Sequence, residues 1–196
     1  MSTHDDLRDI ALAEFAVAGY AGTSLQRIAE IAGLSKSSVL YHYDSKEALL
    51  QAAIGPAIDR MEVILRSIEG TLANADARHA FIEQFVDFLL AHRLEVHMFI
   101  NQGPGLEDVP VIDRANALIA ELATFFSSAV GTVEDHLRFG IALGGAAYVL
   151  ASKQDDELRD GPFAEAAQDE VRGALVTIMA ELLEPVSLRA SASETP

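Results

Sequence analysis

The chain has 196 residues, half of them hydrophobic, which is enough for a substantial core in one or two domains. It contains no cysteine, which excludes a disulfide framework and thiol chemistry. Its formal net charge of −16 argues against a nucleic-acid surface that covers the whole chain, because binding to phosphates needs basic groups.

Two helices are predicted at the N-terminus. The first covers residues 5–18, and its apolar positions share one face at Leu7, Ile10, Ala11 and Phe15. The second is expected to begin near Ser24, because Thr23 with Gln26 three residues later has the pattern of a capping box. Its inward face consists of apolar residues, several of them small, namely Leu25, Ile28, Ala29 and Ala32.

A tight turn and a third helix follow. Gly33 can adopt the positive φ that ends a helix, and Ser35 can cap a third helix that runs to about Tyr43. A helix, a glycine turn and a second helix form the arrangement that places the second helix in the major groove of DNA. The same corner also occurs in helical proteins that do not bind DNA. The outward residues of the third helix favour DNA, because they carry hydroxyl, aromatic and basic groups, and residues 24–46 hold three basic residues against two acidic ones.

The remainder is predicted to be helical, since no run alternates with period two for long enough to form a strand. The fourth helix begins at Ser45 and continues towards Glu69, with an interruption at Gly55-Pro56. We expect this helix to be the only mechanical bridge between the two parts of the chain, with the glycine–proline pair as either a hinge or a static joint at which Pro56 begins a separate helix. The other helices are predicted at 75–92, 94–101, 111–129, 133–152 and 162–183, and residues 186–196 are predicted to be a disordered tail.

The fifth predicted helix carries a broad aromatic face on which other helices can converge. Such a set is typical of a plain core, and it also suits a largely apolar ligand pocket with a few polar groups. The pocket residues predicted on this basis are Met61, Leu65, Phe81, Gln84, Phe85, Phe88, His92, Met98, Ile119, Phe126 and Phe139, with His97 and Asn101 as further polar candidates. His92 and His97 have no third ligand at a fixed spacing, so we expect neither a metal site nor a cofactor.

The N-terminal quarter of the chain resembles the TetR family of bacterial transcriptional regulators. The resemblance rests on GYAGTS at 19–24, IAEIAGLS at 28–35 and LYHYDSKEAL at 40–49. Two positions depart from the family pattern: Leu40 replaces a tyrosine, and Asp44 would face phosphate unless it caps the fourth helix with Glu47 as its partner. The resemblance implies an all-α fold of about nine helices. It divides the chain into a three-helix DNA-binding domain with a helix-turn-helix at 1–46 and a helical ligand-binding and dimerisation domain at 47–185.

The positions matched to the family, together with their shared outward face, predict the contacts to DNA. We expect base edges to be contacted by Lys36, Ser37 and Leu40. We expect phosphates to be held by Ser38, Tyr41, His42 and Lys46, with Gln26 and Arg27 approaching from the start of the second helix.

The resemblance also implies a homodimer in which helices 8 and 9 of each subunit, at 133–152 and 162–183, form a four-helix bundle. The eighth helix carries a stripe of small residues that would allow a second helix to approach closely, and the ninth carries an apolar face. The interface residues predicted on this basis are Gly140, Gly144, Ala147, Ala151, Val171, Leu175 and Ile178. In the alternative interpretation these two helices pack only within the chain.

The sequence therefore predicts a ligand-responsive transcriptional regulator, a repressor released from its operator by a small, largely apolar molecule. Its expected partners are double-stranded operator DNA, a small-molecule effector and a second copy of the chain. A cytoplasmic protein without a membrane partner is expected, because the N-terminus has no signal-peptide core and the apolar run 140–151 is too short to span a bilayer. The alternative is a helical small-molecule-binding protein or enzyme with a non-functional DNA-binding domain. No nucleophile–base pair or glycine-rich phosphate loop supports catalysis, so no catalytic residue is predicted.

Overall fold

The computed structural model describes residues 3–68, 74–103, 106, 109–129, 131–151 and 167–186. These residues form helices and short connections and contain no strand, which confirms the all-α prediction. The helices in chain order are α1 (Thr3–Ala18), α2 (Leu25–Ile31), α3 (Lys36–His42), α4 (Lys46–Ile68), α5 (Ala75–Ala91), α6 (Arg93–Gln102), α7 (Pro110–Ala129), α8 (Val133–Phe139), α9 (Gly145–Ala151) and α10 (Gln168–Leu183). None of the helices in these ranges has both the length and the apolarity needed to cross a bilayer.

Helix α2 begins one residue later than the capping box predicts. Its N-cap is Ser24, whose hydroxyl accepts a hydrogen bond from the backbone N–H of Arg27 at 3.1 Å. Thr23 is buried, and its hydroxyl lies 3.1 Å from the carbonyl oxygen of Glu14 and 2.8 Å from that of Gly19. The prediction that Thr23 caps α2 is therefore wrong, because its hydroxyl ties the α1–α2 turn to the end of α1 instead.

The α2–α3 corner forms as predicted. Gly33 has a φ of +66°, and the following backbone N–H of Leu34 donates to the carbonyl of Ala29 at 2.8 Å, so the chain reverses within one turn. The hydroxyl of Ser35 accepts from the backbone N–H of Ser38 at 3.1 Å and caps α3.

The cap of α4 is Ser45, whose hydroxyl accepts from the backbone N–H of Ala48 at 3.0 Å. The predicted alternative, a cap from Asp44, is therefore wrong. Asp44 is left exposed at the end of α3. A serine hydroxyl one residue closer to the helix already satisfies the free N–H that a carboxylate at Asp44 would have accepted from.

Helix α4 runs without a break through Gly55-Pro56, so the predicted interruption is wrong, and so is the view that Pro56 starts a new helix. Pro56 is exposed and its missing N–H removes one backbone hydrogen bond on the solvent side. The flanking residues Ile54, Ala57 and Ile58 are buried. Packing of these neighbours keeps the helix continuous despite the lost hydrogen bond.

Two hydrophobic clusters make up the interior. The N-terminal cluster contains the inward faces of α1, α2 and α3, and it also includes Met98 of α6 and Ile112 of α7. The C-terminal cluster is formed by α4, α5, α7, α8, α9 and α10. Helix α4 contributes Leu49 to the first cluster and Ile64 to the second. The domain boundary after residue 46 stays a prediction, and the N-terminal core extends well beyond it.

The C-terminal half differs from the predicted helices in two places. A π-helical turn, Gly140–Gly144, joins α8 to α9, where one regular helix was expected. Val186 belongs to the core rather than to the predicted tail, because it is buried and its carbonyl accepts from the Nη1 of Arg78 at 3.0 Å. Residues 162–166, expected to start the last helix, and residues 187–196 of the predicted tail lie outside the described residues.

Candidate DNA-reading face and ligand cavity

Helix α3 presents a polar face to solvent. Val39 is fully buried and Tyr43 nearly so, and they anchor the helix to the N-terminal cluster. On the opposite side Tyr41 is 86% exposed and Leu40 is 38% exposed. Such exposure of a large aromatic ring is unusual on a surface that only meets water, and it suits a surface that meets a partner.

The candidate base-reading residues Lys36 and Ser37 are exposed on the first turn of α3. Ser38 is more constrained, because its hydroxyl lies 2.8 Å from that of Ser35. The ring of His42 packs edge-on against that of Tyr41, with a centroid distance of 5.5 Å. The assignment of these residues to base edges and phosphates stays a prediction.

The two candidates on α2 have partners within the chain. The Nε of Arg27 lies 3.3 Å from a carboxylate oxygen of Glu14 on α1, and the amide of Gln26 donates to Glu30 at 3.0 Å. The Arg27 side chain is nevertheless 60% exposed. An exposed ion pair contributes little to stability, so a phosphate can compete with Glu14 for this guanidinium.

Lys46 lies against the α1–α2 turn. Its Nζ is 4.1 Å from the ring centroid of Tyr20, and the Tyr20 hydroxyl donates to a carboxylate oxygen of Glu47 at 3.1 Å. Burial and this hydrogen bond raise the pKa of Tyr20 to about 12. Burial lowers the pKa of Lys46. The pKa of Glu47 is also lowered, because its carboxylate accepts hydrogen bonds from the backbone N–H of Glu47 itself, from Ser45 and from Tyr20. The start of α4 is thus fixed to the turn that precedes α2.

His4 adjoins the DNA-reading face and was missed by the sequence reasoning. Its Nδ1 lies 2.8 Å from the Tyr43 hydroxyl, which also donates to the His4 carbonyl at 3.0 Å. The His4 ring is also within 6.2 Å of the ring of His42. The two partners are 39 residues apart in sequence, so no local pattern indicated the contact.

A second bridge joins the N-terminal unit to the rest of the chain. The side-chain carbonyl of Gln102, at the end of α6, accepts from the backbone N–H of Tyr20 at 2.7 Å. Its amide nitrogen donates to the backbone carbonyl of Phe15 at 2.7 Å. The expectation that α4 is the only mechanical bridge is therefore wrong, because α6 also holds the end of α1 and the turn that follows it.

A cavity of about 650 Å³ lies between α4, α5, α6, α7 and the α8–α9 segment. Seven of the predicted pocket residues line it: Met61, Leu65, Phe85, Phe88, Ile119, Phe126 and Phe139. The volume falls in the range typical of small-molecule sites, and the wall is almost entirely apolar. Whether these residues bind a ligand stays a prediction.

Four predicted pocket residues do not line this cavity. Phe81 is buried and stacks on Phe85 with a centroid distance of 6.0 Å, one helical turn away from the cavity wall. Met98 is fully buried in the N-terminal cluster. His92 is turned towards Glu95, and Gln84 is half-buried on another part of α5. A face defined by helical spacing alone includes positions that point into neighbouring packing rather than into a cavity.

The polar groups of the wall also differ from those expected. They are Glu95, Ser127, His136 and Tyr148. His97 instead pairs through its Nδ1 with the carbonyl of Ala151, and Asn101 donates to the His97 carbonyl at 2.9 Å. A signal for Glu95 was present in the sequence, since it stands three residues after His92 at a helix start. The described residues hold no group of three His, Cys, Asp or Glu side chains arranged for a metal ion.

The small residues predicted to form a dimer interface lie beside the cavity or within the chain. Gly140, Gly144 and Ala147 border the cavity, and Ala151 is buried within the chain. Gly140 and Gly144 are both exposed, and a Cβ added at either would meet no atom within 4 Å, so the assignment of these residues to a dimer seam stays a prediction. Of the remaining candidates Val171 and Leu175 are half-buried, whereas Ile178 is 53% exposed.

Comparison with known proteins places the N-terminal unit in a family. The sequence profile described as "Bacterial regulatory proteins, tetR family" matches residues 7–53, which include α2, α3 and the start of α4. The chain is 34% identical over 120 residues to the HTH-type transcriptional regulator RutR of Escherichia coli (strain K12), a match that covers 56% of this chain and 57% of RutR. The chain thus spans little more than half the length of that relative.

Two further similarities extend the comparison. The chain is 24% identical over 127 residues to IcaR of Staphylococcus aureus (strain Newman), described as a negative transcriptional regulator of the biofilm operon icaADBC, and the match covers 62% of this chain and 68% of IcaR. The structure superposes on AibR, solved in complex with isovaleryl coenzyme A and operator DNA, with a TM-score of 0.66 and 18% identity over 95% of this chain and 100% of that one. The family match and the RutR similarity show that residues 7–53 carry the helix-turn-helix pattern of the TetR family of bacterial regulatory proteins, and the AibR superposition shows that the chain shares that protein's all-helical fold.

Proposed function

We propose that this chain is a ligand-responsive transcriptional regulator, a repressor that leaves its operator when a small, largely apolar molecule binds. The observation that carries the proposal is the 650 Å³ cavity, whose walls include α4 and α6. These two helices also pack on α1 and so hold the DNA-reading unit, which consists of α1, α2 and α3. IcaR, described as a negative regulator, supports repression. AibR, seen with both a ligand and operator DNA, supports control by a small molecule.

The coupling we propose runs through both helices of the cavity wall. Phe99 and Ile100 of α6 line the cavity, and Gln102 at the end of the same helix holds the α1–α2 turn. Ile58 of α4 also lines it, and α4 starts beside the recognition helix α3. A ligand that separates α4 from α6 would therefore reorient α1–α3. A coupling of about 1–3 kcal/mol per site lowers DNA affinity roughly 5- to 150-fold.

The proposed assembly is a homodimer through the exposed surface of α8, the π-helical turn that follows it, and α10. Leu137 and Ile141 are 59% and 60% exposed, and Ile178 on the adjacent α10 is also exposed. Apolar side chains of this size on neighbouring helices suit contact with a second subunit. Two subunits are also needed to place two recognition helices in successive major grooves of a two-fold symmetric operator. The proposed location is the cytoplasm, where the operator is.

An electrophoretic mobility shift against the DNA that flanks the gene tests the proposal. The wild-type chain should retard a specific fragment, and Lys36→Ala should weaken that binding. Arg60→Ala is a matched control, since Arg60 is exposed on α4, fourteen residues beyond the first-turn position Lys46. Loss of binding in both variants to the same extent would indicate a non-specific charge effect, and no retardation of any flanking fragment would reject the proposed function.

A further inference from the structure

We infer that the cavity takes an elongated apolar molecule with a single positive charge, such as an alkylammonium ion, and that Glu95 binds the charged end. This inference rests on the proposed function for the choice of the cavity as a regulatory site. It is carried by the charge and the aromatic composition of the wall.

Among the described residues that line the cavity, Glu95 supplies a carboxylate. Glu95 stands on the first turn of α6 and lines the cavity. Its Oε1 lies 3.1 Å from the Nδ1 of His92, and its Oε2 has no hydrogen-bond partner among the described residues. The side chain is only 17% exposed. A half-satisfied carboxylate with limited access to water favours a cationic partner, because the cation replaces part of the lost hydration.

Two arginines that adjoin lining residues in sequence, Arg114 and Arg138, are paired with acidic side chains. Arg114 directly precedes the lining stretch of α7, but its Nη2 lies 2.7 Å from Asp59 and 2.6 Å from Glu62. Arg138 precedes the lining residue Phe139, yet its Nη2 donates to Glu134 at 2.8 Å. An anionic ligand would therefore compete with intramolecular carboxylates for each guanidinium. A cationic ligand can instead bind the Oε2 of Glu95 while His92 keeps its contact with the Oε1.

Aromatic rings flank the proposed site of the charge. Phe99 stands one helical turn after Glu95 on α6, and both line the cavity. The ring of Phe88 is 5.0 Å from that of His92, the partner of Glu95. Faces of aromatic rings attract cations, most strongly when water is excluded. The carboxylate and the rings thus favour the same sign of charge.

The cavity is elongated rather than round. Along α7 the lining residues run from Ala115 to Ser127, and twelve residues at 1.5 Å each correspond to about 18 Å. Ile54 to Leu65 on α4 line a comparable length. An unbranched alkyl chain fits such a space better than a compact molecule does, and burial of each methylene group adds to the affinity.

Three probes with the same tail and different head groups test the inference: decyltrimethylammonium, decanol and decanoate. Titration calorimetry of the full chain below the concentrations at which the probes form micelles gives their affinities. We expect decyltrimethylammonium to bind at least about tenfold more tightly than decanoate, with decanol between them. Glu95→Gln should remove the preference for the cation and leave decanol binding unchanged, whereas Glu95→Asp should retain it.

Glu121→Gln is the control for net charge, since Glu121 is exposed on α7 and does not line the cavity. It should bind all three probes like the wild type. Decanoate binding as tightly as the ammonium probe, an unchanged cation preference in Glu95→Gln, or no binding of any probe would overturn the inference. None of these results depends on DNA, so the mobility shift with the flanking fragment reports separately on the proposed function.

Discussion

Replacing Gln102 with methionine should uncouple α6 from the DNA-reading unit. Methionine keeps the length and most of the volume of glutamine but can make neither of the two 2.7 Å hydrogen bonds, to the N–H of Tyr20 and to the carbonyl of Phe15. Both bonds are partly buried; the N–H of Tyr20 loses its partner and regains water only in part, whereas the carbonyl of Phe15 still accepts from the backbone N–H of Gly19 at 3.1 Å. Each orphaned group costs about 1–3 kcal/mol when fully buried, and we expect a total of about 1–3 kcal/mol here. For a chain of this size that lowers Tm by about 2–12 °C.

Hydrogen exchange measures the bond directly. The amide of Tyr20 should be protected in the wild type, and it should exchange at least about tenfold faster in Gln102→Met, because local opening no longer breaks a hydrogen bond. Operator affinity is measured in parallel, with and without decyltrimethylammonium. The ratio of the two operator affinities should move towards one in the variant, since movement of α6 no longer reaches the α1–α2 turn.

Gln84→Met is the matched control for this substitution. Gln84 is also half-buried, but it lies on α5 and has no hydrogen-bond partner among the described residues. Its variant should keep the wild-type Tm, Tyr20 exchange and ligand response. If Gln102→Met behaves like Gln84→Met in all three measurements, or if the Tyr20 amide exchanges freely in the wild type, α6 does not transmit the signal through this contact.

Three further predictions concern the DNA face, the dimer and pH. Lys36→Ala should relax specificity at one base pair at a cost of about 1–3 kcal/mol of binding free energy. Lys46→Ala should weaken binding to all sequences and reduce the slope of log affinity against log salt concentration by about one. Equal effects of the two variants on specific and random DNA would contradict these assignments. Gly144→Leu has room for its side chain beside the cavity, so it should reduce the affinity for decanol in calorimetry. Ile178→Glu should raise the dimer dissociation constant in sedimentation, because Ile178 is exposed on the proposed interface. A raised dimer dissociation constant in Gly144→Leu but not in Ile178→Glu would instead favour an interface built on the small residues. Hydrogen bonding to an arginine of α10 lowers the pKa of Asp87, so its stabilising effect is present at neutral pH and lost as pH falls through that lowered pKa; urea unfolding should show Asp87→Asn less stable than wild type at pH 7, with the difference shrinking below pH of about 4.

Local signals predicted the helix-turn-helix well. The positive φ of Gly33 and the cap at Ser35 depend on residues within four positions of each other, and both formed as expected. The same kind of signal failed at Thr23, where a contact to α1 competes with the local cap. Proline at position 56 was expected to interrupt α4, but buried neighbours on both sides outweigh the one lost hydrogen bond. Tertiary packing therefore decided the outcome wherever it competed with a local preference.

The candidate site was only partly predictable for the same reason. Apolar periodicity identified most of the aromatic wall, since residues such as Phe85 and Phe88 share one face of α5. It could not separate cavity from core along that face, which is why Phe81 was included wrongly. The contact between Gln102 and the α1–α2 turn spans more than eighty residues, so no spacing rule could indicate it. Long-range polar contacts carry the proposed coupling, and they are the part of the fold least visible in sequence.

If the proposed function holds, the distribution of cations favours control of DNA binding by a modest coupling free energy. Lys36 is exposed and has no partner among the described residues, whereas Arg27 is shared with Glu14 and Lys46 packs on Tyr20. Each half-site therefore offers few cations for phosphate, and the remaining surface of a chain with net charge −16 repels DNA. Operator binding then depends on two recognition helices engaging together. A small rotation that misaligns one recognition helix with its half-site removes most of the affinity gained from binding two half-sites at once. A ligand therefore needs to supply only the few kcal/mol of free energy that such a rotation costs.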